Sequence, residues 1–313
     1  MPRLDLRVRA LAFLLLAATA PAHAALDCDA LAGVDAATAM QGLPAPRILA
    51  FHGSVPVVTM EPFAEFLVGM GYPEAALRDP YDGSLTRSSF ADSEALAGTI
   101  AWYYEHDGMR PMLVGHSQGG MMVMRVLHEL AGGFHDSIAV VDPATRTALP
   151  RTTFRDPYTG GERAVVGAQV AFASAIATGT LPRLLLGQWT MIPKLRKVPD
   201  SALEFTGFAI AFDPIAGNLG DPEPYVPIGS CAVRNVVLPA EYSHIGAPAM
   251  EHLARQPSTR AWIVAWTPGS TAPAPADADV RNLELAADLW YSIRRHWCIE
   301  GQRAQERKAP ASS

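Results

Sequence analysis

Residues 114–120 read Val114-Gly115-His116-Ser117-Gln118-Gly119-Gly120, a serine set between glycines at G-x-S-x-G spacing. The stretch follows a short apolar run at 111–114 and precedes a run rich in helix formers at 121–130. A serine hydroxyl is a poor nucleophile unless a base takes its proton and the backbone presents it openly. A tight strand-to-helix turn does the presenting, and it needs small neighbours so that strand and helix come close. Gly115, Gly119 and Gly120 supply that room. The stretch reads as strand, turn and helix, with Ser117 as the expected nucleophile.

The same alternation extends on both sides. RILAF at 47–51 reads as a strand running into His52-Gly53-Ser54. Phe63, Phe66, Leu67 and Met70 repeat at helical spacing, with Gly69 and Gly71 closing the helix. Residues 76–78 are a candidate short strand. The next helix is expected to start near Ser88 or Ser89, to carry Leu96, Ile100 and Tyr103 on one face, and to stop at Gly108. Residues 142–161 are polar and turn-rich, and 165–177 read as a buried strand leading into a helix. FAIAF at 208–212 is a strand ending at Asp213-Pro214, and RNVVL at 234–238 leads to Tyr242-Ser243-His244. Residues 262–266 fit strand or helix equally, and 267–277 form a Pro/Ala loop. Val280, Leu283, Ala287, Trp290 and Ile293 trace a last amphipathic helix, and the polar tail at 301–313 is expected to be disordered. Strands alternating with helices predict a parallel sheet covered on both faces, with active loops at the carboxyl ends of the strands.

This order of strand, HG turn, helix, strand, G-x-S-x-G, helix, strand–Asp and strand–His resembles the α/β-hydrolase superfamily, and within it secreted lipases and carboxylesterases. The resemblance covers about residues 45–298 and implies one hydrolase domain over 25–300, with an inserted cap or lid at about 142–204.

Among nine histidines, His244 is placed just beyond the last core strand and is the expected base. His252 is a reserve that sits inside a helix-like run, and His116 reads as a packing residue of the turn. The expected acid is Asp213, which caps the FAIAF strand; a carboxylate there accepts the imidazole N–H and fixes its tautomer. Asp200, Asp221 and Glu241 compete for that role. The oxyanion hole needs backbone donors, expected from the N–H groups of Gln118 and Ser54. No metal or organic cofactor is required.

The chain opens with Arg3, Arg7 and Arg9, an apolar core at 10–20 and Ala22-His23-Ala24, which together predict a signal peptide over 1–24 and a secreted or periplasmic protein. Its removal takes Lys+Arg from 25 to 22 and Asp+Glu from 31 to 30, a net charge of −8. That disfavours nucleic acid as a partner, and no later run reaches transmembrane length. Of three cysteines, Cys231 and Cys298 are the favoured disulfide pair, on the expectation that strand and returning helix bring them to one sheet edge.

Residues 181–199, LPRLLLGQWTMIPKLRKVP, mix Leu184, Leu185, Leu186, Trp189, Met191 and Ile192 with Arg183, Lys194, Arg196 and Lys197. Two readings stand: a mobile lid with an apolar underside, or a cap packed permanently on the core. A lid favours a small-molecule or lipid ester and transient contact with a lipid surface. The functional readings are a serine ester hydrolase, an acyltransferase on the same residues, or a binding protein on an inactive hydrolase fold.

Overall fold

The computed structural model describes residues 25–54 and 58–308. The expected signal peptide at 1–24 and residues 309–313 of the expected tail lie outside them.

Five strands make one fully parallel sheet: β1 (Ile48–Phe51), β2 (Met112–His116), β3 (Val170–Ile176), β4 (Ala202–Ile210) and β5 (Ala232–Leu238), side by side in chain order. β1, β2 and β3 are short, fully buried apolar runs, as expected where both faces are covered, whereas β4 and β5 carry polar residues and β5, at the sheet edge, is partly exposed. Residues Met112 and Val114 of β2 join the core on one face, with helices α1 (Glu61–Gly69), α4 (Glu251–Arg255), α5 (Pro257–Ala265) and α6 (Leu283–Lys308). Leu113 joins the other core, under α2 (Ser93–Asp107) and α3 (Gln118–Leu130). Side chains alternate across the sheet with the period-2 geometry of a strand. The result is an α/β fold with helices on both faces of a parallel sheet.

The boundaries depart from the sequence reading in places, each for a local reason. Residues 74–76 form a 3-10 turn rather than the strand expected at 76–78; the outer edge of β1 is instead covered by a lone parallel bridge from Phe51 to Arg87. Helix α2 starts at Ser93, not near Ser88 or Ser89, because the Asp92 carboxylate accepts from the Glu94 N–H at 3.0 Å. The hydroxyl of Ser89 is spent on the Gly53 carbonyl at 3.3 Å. Residues 262–266 belong mainly to a helix, α5. The polar stretch at 142–164 folds back as two small antiparallel hairpins.

Helix α6 runs on to Lys308, which corrects the disordered tail for residues 301–308. Ala304 is buried there, and Arg303 pairs with Glu300 while its guanidinium lies over the Tyr158 ring. Upstream, Arg234 of β5 bonds Asp288 and Ser292 of α6, and Glu204 of β4 accepts from Ser292 and His296, so buried polar pairs tie this helix to the sheet.

The disulfide is Cys28–Cys298, not Cys231–Cys298. The reason lies in strand parity. Arg234 and Val236 point to the α6 face, so Cys231 points to the opposite core and cannot meet Cys298. Cys231 stays a buried free thiol, with its pKa pushed up to about 12 by burial.

Candidate active site

Ser117 links β2 to α3 with φ 55° and ψ −115°, a backbone region that side chains rarely adopt. Close approach makes the glycines necessary: a Cβ on Gly119 would lie 2.0 Å from the Phe51 carbonyl oxygen, and one on Gly115 would lie 2.2 Å from the Gly119 carbonyl oxygen. The serine N–H donates to the Ile176 carbonyl at 2.8 Å, and its carbonyl accepts from Thr178 Oγ1 at 3.0 Å, so β3 holds the strained turn in place. Serine at a helix N-terminus usually caps it. Here the hydroxyl makes no cap bond and is left for another partner.

That partner is His244. Its Nε2 lies 2.9 Å from Ser117 Oγ, and its Nδ1 lies 2.7 Å from Asp213 Oδ2. The structure brings together Ser117, Asp213 and His244 from three loops, each beyond the carboxyl end of its own strand. Asp213 is buried, and its Oδ1 accepts the N–H groups of Ile215 at 3.1 Å and Ala216 at 3.0 Å. Burial alone would raise the Asp213 pKa; the His244 bond and these N–H donors outweigh it and hold the carboxyl below its usual value. The carboxylate that results orients the imidazole and leaves its Nε2 free to take the serine proton.

The competing residues lie elsewhere. Asp200 is bonded to Ser230 and Cys231, before the start of β5. Asp221 and Glu241 are exposed, and His252 sits 3.7 Å from Asp279. Two residues that sequence reasoning left out of the site hold the His244 loop. His116 Nε2 donates to the His244 carbonyl at 2.7 Å, and Asn282 Nδ2 donates to the Gly246 carbonyl at 2.8 Å. The only signal for His116 was its seat inside the turn; nothing marked Asn282.

Of the two expected backbone donors, Gln118 is the first residue of α3, where N–H groups have no partner within the helix. The His52–Gly53 turn runs alongside: a Cβ on Gly53 would come 3.4 Å from Ser117 Cβ. Ser54 follows it and is exposed, and residues 55–57 beyond are not described.

The short helix that opens the inserted segment does not have the apolar underside that a lid reading expects. In the short helix Leu181–Leu185, Arg183 is the buried residue, 2% exposed, while Leu185 is 80% exposed; Trp189, in the turn that follows, is 63% exposed. Arg183 turns inward because the amide oxygens of Gln118 and Gln188 accept from its Nη1. Five residues cannot bury both faces, so the leucines face out. Met191 and Leu195 anchor the rest of the segment in the core under α3. Beside it, a cleft of about 240 Å³ is lined by Thr178, Leu181, Arg196, Asp213, Leu219 and Glu223.

Among the described residues, no group of three His, Cys, Asp or Glu side chains is arranged to hold a metal ion. No protein-family model, curated protein or solved structure matches this chain. The class that fold and site define is an α/β protein with a Ser–His–Asp hydrogen-bond chain at the carboxyl edge of a parallel sheet.

Proposed function

We propose that this chain is a serine ester hydrolase of the α/β-hydrolase kind, a lipase or carboxylesterase that works through an acyl-enzyme. The observation that carries the reading is the unbroken line from Ser117 Oγ through His244 to Asp213, at 2.9 and 2.7 Å. Ser117 attacks the ester carbonyl while His244 Nε2 takes its proton. The same imidazole returns the proton to the departing alcohol, and water then enters by the reverse path and releases the acid. Asp213 stabilises the imidazolium formed in between. The N–H of Gln118, with a second donor from the Gly53–Ser54 turn, faces the oxyanion. Ser117's strained φ supports the reading further, since strain of this kind clusters at sites where a side chain must be presented.

The exposed leucines and Trp189 of the insert, with Ile215 and Leu219 on the Asp213 loop, support esters carried on an apolar body or a lipid surface. No helix among the described residues is long and apolar enough to cross a membrane. Export fits the Cys28–Cys298 disulfide, which persists in oxidising compartments.

A fluorophosphonate probe tests the reading. Ser117 is expected to be labelled in the folded protein, and Ser117→Ala to be silent. A folded wild type that takes up no probe overturns it. A chain-length series of p-nitrophenyl esters then gives the acyl preference, and adding alcohol acceptors reports any transfer in place of hydrolysis.

A further inference from the structure

Among the described residues, Arg183 is a buried cation with no carboxylate partner. Its Nη1 donates to Gln118 Oε1 and Gln188 Oε1, both neutral amides, and its Nε has no partner among the described residues. Gln118 is itself fully buried, with its Nε2 also unpartnered among the described residues. A charge buried this way is costly unless something opposite in sign repays it. Burial pulls the Arg183 pKa down only to about 10, so the guanidinium stays charged at neutral pH. The group it touches is the residue directly after Ser117. In the free protein that neighbourhood holds no balancing anion among Arg183's partners. During acyl transfer it would hold one, because the carbonyl oxygen of a substrate on Ser117 becomes negative as the tetrahedral intermediate forms.

We infer that Arg183 is a positioning residue for the acyl-transfer site: through Gln118 it fixes the first turn of α3, and its uncompensated charge stands behind the N–H that faces the developing oxyanion. The inference rests on the hydrolase reading. It gives the inserted segment a part in the chemistry that neither a mobile lid nor an inert cap has. A charge in a water-poor setting acts beyond direct contact, so Arg183 need not touch the substrate. The term grows as the oxyanion forms, so it belongs to kcat rather than to binding of the neutral ester.

Two variants separate charge from packing. Arg183→Gln removes the charge. Gln118→Glu keeps the contact, turns it into an ion pair and neutralises the site while giving the buried arginine the partner it lacks. Both are assayed with a p-nitrophenyl ester, with rates divided by active sites counted from fluorophosphonate labelling. Each is expected to lower kcat per site about tenfold to a hundredfold, below the loss for a direct oxyanion donor, with KM changed by less than about twofold. Gln118→Glu is further expected to melt no lower than the wild type, which keeps the test sound if Arg183→Gln folds poorly. Arg183→Lys should recover part of the loss, since it restores charge without the fork. If wild type is labelled and Gln118→Glu keeps kcat within about twofold, the inference is overturned and the hydrolase reading stands. If wild type is not labelled, both fall.

Discussion

His116 donates through Nε2 to the backbone carbonyl of His244 at 2.7 Å, so the residue before Ser117 holds the loop whose imidazole lies against the Ser117 hydroxyl. The donor role puts the proton on Nε2 and leaves Nδ1 as a buried lone pair without a partner among the described residues. Burial first, and the nearby His244 second, lower the His116 pKa to about 4.

A pH dependence of stability follows. In the unfolded chain His116 takes up a proton below about pH 6.5, whereas in the folded chain it does not until about pH 4. The unfolded state therefore binds more protons in that window, and stability is lost as pH falls through it, by about 3 kcal/mol for this group. His116→Gln keeps a donor for the His244 carbonyl and removes the titration. Urea unfolding at pH 7, 5.5 and 4 should show the wild type losing ground to His116→Gln across that range. Parallel curves would mean that His116 is not held neutral.

Ser117→Gly and Ser117→Ala are both expected to be inactive, yet their stabilities should differ in an unusual direction. Glycine ordinarily costs stability relative to alanine, by roughly 0.5–1 kcal/mol. At φ 55° and ψ −115° the alanine Cβ keeps a strain of about 1–3 kcal/mol that glycine lacks. Both variants lose the same bond to His244, so the comparison isolates the backbone. Thermal melts should place Ser117→Gly above Ser117→Ala, and the opposite order would remove the claim of strain.

Asp213→Asn should lower kcat by about ten-thousandfold with the fold intact, because an amide can present its N–H to His244 and favour the wrong tautomer. The two N–H donors from Ile215 and Ala216 sharpen the effect, since they hold the acceptor oxygen and turn the amide nitrogen toward the imidazole. Rate per labelled site, with KM measured alongside, is the check. Near-wild-type activity would remove Asp213 from the acid role.

What the sequence disclosed and what it hid divide along one physical line. Ser117, Asp213 and His244 were legible because each follows an apolar strand-like run, and a parallel sheet gathers the carboxyl ends of its strands at one edge. Gly119 and Gly115 were legible for the same reason: the turn between strand and helix demands them. Arg183 was not, since its inward turn depends on two amide oxygens, one of them on Gln118 and 65 residues away. Asn282 was hidden likewise, its contact with Gly246 spanning 36 residues. The start of α2 was missed because Asp92, Ser88 and Ser89 all suit a cap, and only Asp92 is free of another task. Periodicity reports which face an element buries; it does not report which distant acceptor a polar side chain finds.

The disulfide offers the remaining test, because strand parity and edge proximity made opposite claims about Cys231. Cys28–Cys298 closes a loop of 270 residues in sequence separation, tying residues 25–30 to α6 beside Gln302. A cross-link over so long a loop restricts the unfolded chain strongly, and its loss is expected to cost about 2–5 kcal/mol. Cys28→Ser should therefore lower Tm by several degrees, and reductant should have no further effect on that variant. Cys231→Ala should respond to reductant as the wild type does, since its thiol is buried on the other face of the sheet. Titration of unreduced protein in denaturant should find one thiol, and peptide mapping should assign it to Cys231. Finding the free thiol on Cys28 would mean that α6 meets β5 rather than the amino-terminal segment, and the parity argument for the two faces of the sheet would fail with it.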